Sequence, residues 1–360
     1  MSGVWGNKIK VSIFGESHGT AIGITIDGLP AGFEIDMDKI SKEMDRRAPG
    51  KSAISTARKE ADAPEVLSGI FEGKTTGAPL CGIIRNADTR SKDYDKTKDL
   101  MRPGHSDYTG HMRYNGFNDY RGGGHFSGRI TAPLVFAGAI CKQILESEGV
   151  YVGAHINSVG NINDDKFNEI SIEKEELLAL RDKSMPLIND SLEEKIRDSI
   201  LAAKVTGDSL GGTIECGVVG IKPGIGNPFF DSVESTLAHL IFSVPAVKGI
   251  EFGKGFELCT MYGSEANDEY YYEDEVVKTK TNNNGGILGG ITNGMPLVFK
   301  VAIKPTASIL KKQQTINIKT KENAELQIYG RHDPCIVQRA VPVIEAVTAI
   351  GLLDLMRGIE

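Results

Sequence analysis

Paired cysteines, a signal-like leader and long apolar runs are all missing from this sequence. The five cysteines stand at least 43 positions apart without a C-x-x-C pair, so neither a disulfide framework nor a zinc site is indicated. The N-terminal residues contain no apolar core of a secretion signal, and no apolar run approaches the roughly 18 residues of a membrane span. These absences favour a soluble protein in a reducing, cytoplasmic compartment, with no metal and no membrane partner.

An excess of basic charge is missing as well. The 360 residues include 41 Lys and Arg against 48 Asp and Glu, a formal net charge of −7. Residues 162–198 and 265–275 contribute −5 and −6, so the rest of the chain is positive by about 4. This balance argues against a nucleic-acid partner that needs a broadly basic surface. It is compatible with an anionic small molecule at a locally positive site.

Glycine, in contrast, is abundant. The 42 glycines are near 12% of the chain, above the usual value of about 7%, and they cluster without a collagen-like period. Such clusters are typical of tight turns and of backbone that approaches a ligand closely. Hydrophobic residues at 40% and charged residues at 25% are ordinary for a globular chain, and no low-complexity linker divides it. Residues 1–360 are therefore interpreted as one domain.

Apolar periodicity predicts strands that often follow one another and helices at irregular intervals. The predicted strands are 8–14, 22–27, 80–84, 213–219, 249–258 and 297–304. The predicted helices are 36–47 with Asp36 as N-cap, 131–148, 191–204 opened by a capping box at Ser191, and a last one from Asp333-Pro334 to about 356. This order favours an α+β fold with antiparallel sheets over a doubly wound sheet. A basic loop before a long apolar helix occurs at 121–148 and again at 330–356, a faint internal repeat.

The motif Gly15-Glu-Ser-His-Gly19 fits the G-x-S-x-G pattern of a hydrolase nucleophile elbow. An elbow needs a strand before it and a helix after it, but residues 20–27 alternate like a second strand. The motif is therefore interpreted as a tight loop between strands that presents Ser17 and His18. A plain glycine-rich hairpin is an equally good interpretation of this segment alone, and a serine hydrolase is the least favoured hypothesis.

Further loops combine glycine with cations and imidazoles. The loop at 121–129 misses the dinucleotide fingerprint, yet it would let the backbone approach a flat or phosphorylated ligand, with a helix N-terminus just beyond. A turn that only packs the following helix is the alternative. Arg102-Pro-Gly-His-Ser-Asp107, Lys304-Pro-Thr-Ala-Ser308 and Arg331-His-Asp-Pro-Cys335 carry similar groups. Five of the seven histidines lie in or beside these loops, which favours a common site: His18, His105, His111, His125 and His332.

Taken together, these motifs resemble those of the chorismate synthase family. The matching segments, in the family's order, are Gly15-Glu-Ser-His-Gly19, Asp45-Arg-Arg-Ala-Pro-Gly50, Arg102-Pro-Gly-His-Ser-Asp107, Tyr120-Arg-Gly-Gly-Gly124, Gly285-Gly-Ile-Leu-Gly-Gly290, Lys304-Pro-Thr-Ala-Ser308 and Gly330-Arg-His-Asp-Pro-Cys335. They spread over nearly the whole chain, so the joint match is far more specific than any one of them.

The resemblance implies a lyase of the shikimate pathway of aromatic amino acid biosynthesis. Such enzymes form chorismate by anti-1,4-elimination of phosphate from 5-enolpyruvylshikimate 3-phosphate, and they require reduced FMN although the reaction is redox-neutral. The implied fold is a β-α-β sandwich with helices between antiparallel sheets and a pseudo-twofold internal repeat, and the implied assembly is a homotetramer. The sequence leaves open whether NADPH reduces the flavin on the enzyme or an outside source supplies the electrons.

The resemblance also implies roles for single residues. His18 is expected to protonate the reduced flavin near N1, and His105 to donate a proton toward the departing phosphate. Asp333, with Ser17 and Ser127, is expected to relay the proton that the flavin N5 removes from the substrate ring. The expected anion-binding residues are Arg47, Arg102, Arg129 and Arg331. The expected FMN-binding residues are His125, Phe126, Ser127, Ala246, Gly289, Lys304, Pro305, Thr306, Ala307, Ser308 and Arg331.

Two departures from the family pattern concern ligand contacts. Where the family commonly reads Gly-Gly-Gly-Arg-Ser-Ser-Ala-Arg, this chain reads Gly122-Gly-Gly-His-Phe-Ser-Gly-Arg129. Positions 48 and 53, often arginine in the family, are alanine, and Arg58 or Lys51 is expected to compensate. These changes keep a second hypothesis open, a non-catalytic flavin- or anion-binding protein on the same scaffold.

Overall fold

The computed structural model describes residues 3–50, 62–87, 98–328 and 333–358. The first half contains strands β1 Val4–Trp5, β2 Lys10–Gly15, β3 Ala21–Asp27, β4 Glu65–Ser68, β5 Ile70–Phe71, β6 Lys74–Thr75 and β7 Leu80–Arg85. Its helices are α1 Met37–Arg47, α2 Asp107–Arg113 and α3 Thr131–Ser147.

The second half contains more short elements. Its strands are β8 Tyr151–Val159, β9 Ile162–Asn163, β10 Gly212–Val219, β11 Val247–Phe252, β12 Tyr270–Glu273, β13 Val276–Thr279, β14 Ile287–Leu288, β15 Ile291–Thr292, β16 Leu297–Ile303, β17 Gln313–Asn317 and β18 Glu322–Leu326. Its helices are α4 Lys174–Asp182, α5 Glu193–Val205, α6 Val233–Ser243, α7 Gly263–Ala266 and α8 Val337–Arg357.

Two antiparallel sheets of five described strands carry the fold. The first has the order β1-β2-β3-β7-β4 and the second the order β11-β16-β10-β8-β9. Four strands of the first sheet, β2-β3-β7-β4, match β8-β10-β16-β11 of the second in both spatial and chain order. In each half a helix lies in the chain between the second and third matched strands: α1 between β3 and β4, and α6 between β10 and β11. A long helix follows the fourth matched strand, α3 after β7 and α8 after β16. The predicted internal repeat is therefore confirmed at the level of topology.

The two long helices lie between the sheets. Helix α3 contacts α8 as well as β3 and β7 of the first sheet, and α8 contacts β8 and β10 of the second. A helix that is apolar on all sides must be covered on all sides, and every residue of α3 from Thr131 to Leu145 is buried. The stretch Gly128–Ser147 is long and apolar enough to span a membrane by length and composition, but 89% of its apolar window is buried inside the fold. The predicted α+β sandwich is confirmed.

Three predicted boundaries were wrong. The side chain of Asn189, rather than Ser191, caps a short 3-10 turn before α5, since its Oδ1 accepts from the Ser191 N–H at 3.2 Å. Helix α8 begins at Val337 with Ile336 in the N-cap position, and the Asp333 carboxylate pairs with Arg339. The strand predicted at 249–258 ends at Phe252, and Gly255–Thr260 is a short 3-10 helix.

A buried histidine links three segments of the second half. His155 is fully buried, and its Nδ1 and Nε2 each lie 3.0 Å from a carboxylate oxygen, of Asp164 and Glu215 respectively. Burial disfavours the charged imidazole, but the bonds to Asp164 and Glu215 outweigh it and raise the pKa of His155. The protonated ring therefore stabilises the fold.

This cluster makes unfolding depend on pH. The stabilisation by His155 is fully present below the unfolded-chain pKa of about 6.5 and is lost as pH rises through the higher folded pKa. We expect the free energy of unfolding to fall with pH in that window, at most by about 1.4 kcal/mol per pH unit, and His155→Gln to remove this dependence. Urea unfolding between pH 6 and 9 measures it, with the exposed His239→Gln as control. Equal slopes in wild type and His155→Gln would contradict the assignment.

Candidate active site

A cavity of about 1810 Å³ collects the loops that the sequence singled out. Of the expected site residues, those that line it are His18, Arg47, Arg102, His105, His125, Phe126, Ser127, Arg129, Ala246, Lys304, Pro305, Thr306, Ala307, Ser308 and Asp333. Its described lining includes eight Lys or Arg side chains and four histidines against three aspartates. The locally positive site inferred from the charge distribution is therefore this cavity.

The loop between β2 and β3 fixes the orientation of His18. The Ser17 hydroxyl donates to the carbonyl of Arg121 at 3.1 Å and lies 3.1 Å from His18 Nδ1. Because a hydroxyl has one proton and a carbonyl can only accept, Nδ1–H of His18 must donate to the Ser17 oxygen. Nε2 is then the ring nitrogen of His18 that does not contact Ser17.

Ser17 itself has no access to the cavity. Its side chain is fully buried, and its loop joins two antiparallel strands that pair from Lys10 with Asp27 to Gly15 with Ile22. A hydrolase nucleophile must be exposed on a strand-to-helix turn. The hydrolase hypothesis is therefore wrong, and Ser17 orients an imidazole.

His105 is oriented in the same way by a carboxylate. Its Nδ1 lies 2.7 Å from Asp107 Oδ1, and Arg102 binds Asp107 through Nε at 2.6 Å and Nη2 at 2.7 Å. Burial raises the pKa of Asp107, but the hydrogen bonds from His105 and Arg102 outweigh it and hold that pKa well below its usual range. An ionised carboxylate only accepts, so Nδ1–H of His105 donates to Asp107.

Three successive glycines make room for both imidazoles. Gly122, Gly123 and Gly124 all have positive φ, at 59°, 88° and 53°. A methyl group on Gly122 would lie 2.2 Å from His18 Cε1, and one on Gly123 would lie 3.2 Å from His105 Nε2. Only glycine combines this backbone conformation with this close approach. The glycine loop therefore borders both histidines, which lie far apart in the sequence.

Two buried arginines share one carboxylate. Asp62 accepts from Arg47 Nη1 at 2.5 Å and from Arg129 Nη1, and all three side chains are at most 4% exposed. Burial lowers the pKa of Arg47 to about 10; Asp62 opposes this change, whereas Arg339 and Arg129 add to it by repulsion. Arg47 remains a cation at neutral pH, in a cluster where positive charge exceeds negative charge.

The segment after β16 is tied to the turn that carries His105. Lys304 donates through Nζ to the carbonyl of Gly104, and Ser308 Oγ accepts from Arg102 Nη1 at 3.3 Å. Thr306 Oγ1 is buried and has no hydrogen-bond partner. Since buried hydroxyls are normally paired, this oxygen indicates a place for a ligand atom.

The residues that depart from the family pattern make local contacts. His125 donates through Nδ1 to the carbonyl of Gly15 at 2.8 Å and so joins the glycine loop to the loop of His18. The Phe126 ring lies 6.1 Å from that of Tyr114, and a methyl group on Gly110 would lie 2.7 Å from it. Ser127 Oγ accepts from the Arg129 N–H and caps the turn that leads into α3.

Of the remaining expected residues, some are described away from this cavity and others lie outside the described residues. Gly289 lies in a separate pocket of about 350 Å³ with Phe229, Ser232 and Glu234. Arg331, His332, Lys51, Ala53 and Arg58 lie outside the described residues. Ala48 is described and is buried after α1.

Sequence reasoning missed two residues of the site, Asp62 and Arg339. Asp62 lies outside every motif, and Arg339 lies in the first turn of a helix whose apolar pattern dominates. Buried arginines need a counter-charge, so an acidic partner could be expected. The sequence does not show that this partner is Asp62.

The comparison with known families decides the assignment. A family model described as chorismate synthase matches residues 9–356. The chain belongs to the chorismate synthase family. It is 48% identical over 361 residues to the chorismate synthase of Methanocaldococcus jannaschii, covering 98% of this chain and 95% of that protein. It is 46% identical to the chorismate synthase of Dehalococcoides mccartyi, covering 99% and 96%.

A solved structure agrees with the fold. A crystal structure of chorismate synthase matches with a TM-score of 0.76 at 28% identity, covering 98% of this chain and 93% of that one. As a member of the chorismate synthase family the chain is an enzyme of the lyase class, and the activity expected from the motifs is confirmed. The alternative of a non-catalytic binding protein is not favoured.

Proposed function

We propose that this cavity catalyses the anti-1,4-elimination of phosphate from 5-enolpyruvylshikimate 3-phosphate with the help of reduced FMN. The observation that carries the proposal is the pair of imidazoles beside one glycine loop, each with Nδ1 engaged. Each ring would exchange protons through Nε2. Departing phosphate needs a proton donor and a cationic environment. The excess of arginine and lysine around the cavity supplies that environment.

The residues present fit a flavin mononucleotide. The partnerless hydroxyl of Thr306, the neighbouring Ser308 and the cation of Lys304 suit phosphate or ribityl oxygens, and the glycine loop suits close approach of a flat ring. When bound, reduced FMN would supply an electron-rich ring that assists loss of the substrate's hydrogen and phosphate. The size of the cavity is sufficient for a cofactor and a substrate together, since ligand sites usually measure about 300–1000 Å³.

Each imidazole would hold a proton close to a group whose charge changes during the reaction. His105 Nε2 would donate toward the departing phosphate, and Asp107 would stabilise the imidazolium before transfer. His18 Nε2 would hold a proton near N1 of the flavin, with Ser17 fixing the ring. Asp333, which lines the cavity, would receive the proton that leaves the substrate ring.

Arginines would hold the anionic groups of the substrate. Arg47 and Arg129 are fixed by Asp62 and by further hydrogen bonds, of Arg47 to Thr131 and of Arg129 to Asn86, so both cations are pre-oriented and lose little freedom on binding. Arg102 uses two of its nitrogens on Asp107, and its Nη1 is near Ser308, so it would act at the edge of the phosphate site. Planar guanidinium groups suit carboxylate and phosphate better than ammonium groups do.

A turnover assay tests the proposal. The purified chain, with chemically reduced FMN and 5-enolpyruvylshikimate 3-phosphate under anaerobic conditions, should release phosphate and form chorismate in equal amounts. Oxidised FMN in the same assay serves as control and should give no product. Tight binding of FMN without any turnover would contradict the proposal and revive the non-catalytic alternative.

The source of electrons and the assembly are separate proposals. We propose a homotetramer, which light scattering coupled to size-exclusion chromatography would measure. Anaerobic oxidation of NADPH by the enzyme with FMN would show that it reduces its own flavin, and no oxidation would show that an outside reductant is needed.

A further inference from the structure

Arg339 is a cation in the wall of the cavity, and it belongs to none of the motifs. It is the third residue of α8, and its side chain is 19% exposed. Nη1 donates to Asp333 Oδ2 at 2.5 Å, and Nε donates to the carbonyl of Arg47 at 3.0 Å. One guanidinium therefore contacts the carboxylate proposed for proton transfer and the backbone end of α1, which carries an anion-binding arginine.

We propose that Arg339 is a positioning residue for the elimination, acting through Asp333. This inference rests on the proposed function, in which Asp333 receives a proton. The Nε bond to a backbone carbonyl fixes the guanidinium to the fold, so its position does not depend on Asp333. The carboxylate, which lies in the loop before α8, is in turn fixed by the guanidinium.

The burial of this ion pair makes it effective. The two side chains are 19% and 11% exposed, so water screens their attraction less than at an open surface. The pair would hold the Asp333 carboxylate at one distance from the substrate. A misplacement of about 1 Å at a reacting group can reduce the rate about 10²-fold.

Arg339 also contributes to the electrostatics of the cavity, and the kinetic constants separate that role from positioning. Arg339 is close enough to Arg47 to lower its pKa by repulsion, so it adds to the positive charge of the cavity as well. If attraction of the substrate were its main contribution, its loss would raise KM. If it acts through Asp333, its loss lowers kcat. The split between the two constants therefore separates the two roles.

A double-mutant cycle tests this inference. Wild type, Arg339→Gln, Asp333→Asn and the double variant are compared in kcat and KM with saturating reduced FMN, together with Arg339→Lys. The control is Arg357→Gln, since Arg357 lies at the other end of α8, pairs with Glu148 and does not line the cavity. The unfolding midpoints of the same proteins, measured without substrate, show how much the ion pair stabilises the fold.

We expect Arg339→Gln to lower kcat roughly 10- to 100-fold with KM changed less than about threefold, the range for losing a group that orients another. Arg339→Lys should recover part of the loss, and Arg357→Gln should stay within about twofold of wild type. In the Asp333→Asn variant, the further substitution Arg339→Gln should lower kcat by less than about threefold more. The effects of the two substitutions on the unfolding midpoint should not be additive.

Other outcomes overturn the inference in distinguishable ways. Independent, multiplicative losses of kcat, a rise in KM alone, or equal losses in Arg357→Gln and Arg339→Gln would each contradict a positioning role. Uncoupled midpoints would contradict the ion pair itself. Failure of the wild type to form chorismate would instead contradict the proposed function, and the midpoints would still decide whether Arg339 fixes Asp333.

Discussion

Replacing His105 with alanine is expected to lower turnover about 10²-fold or more, the usual loss for a general acid. The reason is the fixed geometry of the ring, whose Nδ1–H donates to the ionised Asp107 and whose Nε2 lies beside the glycine loop. Without the imidazole, phosphate would have to leave without a proton from the protein. The loss should appear in kcat and not in substrate binding, because the cations that hold the substrate remain.

The chain offers a matched control for this variant. His111 lines the same cavity on α2, and His111→Ala should keep kcat within about threefold of wild type. Asp107→Asn should give an intermediate loss, since the amide can accept the bond but lacks the charge that favours imidazolium. His18→Ala should also lose about 10²-fold or more. Rates close to wild type in either His18→Ala or His105→Ala would overturn the role assigned to that histidine.

Replacing Gly122 with alanine is expected to be as damaging as removing a histidine. A methyl group there would lie 2.2 Å from His18 Cε1, 2.4 Å from its Nδ1 and 2.8 Å from Ser17 Oγ. The left-handed backbone, with φ of 59°, adds about 1–2 kcal/mol of strain for an alanine. His18 would have to move, and a displacement of about 1 Å can lower turnover about 10²-fold.

Gly128 provides the control in the same loop. A methyl group at Gly128 meets no atom within 4 Å, and its φ is not positive. Gly128→Ala should therefore keep kcat within about twofold, and thermal unfolding should show that both variants fold. Similar rates for Gly122→Ala and wild type would mean that the glycine loop moves freely, and would contradict the tight packing of His18.

Much of the fold could be predicted from local pattern. The alternation of residues 80–84 and 297–304 indicated strands, and the structure has them at Leu80–Arg85 and Leu297–Ile303. The capping oxygen of Asp36 was also correctly assigned to the start of α1. A boundary failed at Asp333, whose carboxylate pairs with Arg339, six positions further along, instead of capping α8. Capping propensity does not tell whether the carboxylate meets a backbone N–H or a side chain of the same helix.

The site was predictable as a set of loops, but its chemistry was not. The histidines and glycines were visible as clusters, and the family resemblance ordered them. The tautomer of each imidazole depended on one contact of the folded chain. For His18 it is the bond from Ser17 to a carbonyl 104 positions away, and for His105 it is the turn that brings Asp107 to the ring. Asp62 contacts arginines 15 and 67 positions away and belongs to no motif.

The sequence by itself determined the periodicity of strands and helices, the surplus of glycine, the positive remainder outside two acidic segments, and the motifs that indicate the family. These are properties of neighbouring residues or of composition. Only the tertiary structure decided which charges meet and which way each imidazole faces. Most of these contacts join segments that are far apart in the chain, and the two sheets with the helices between them bring those segments together.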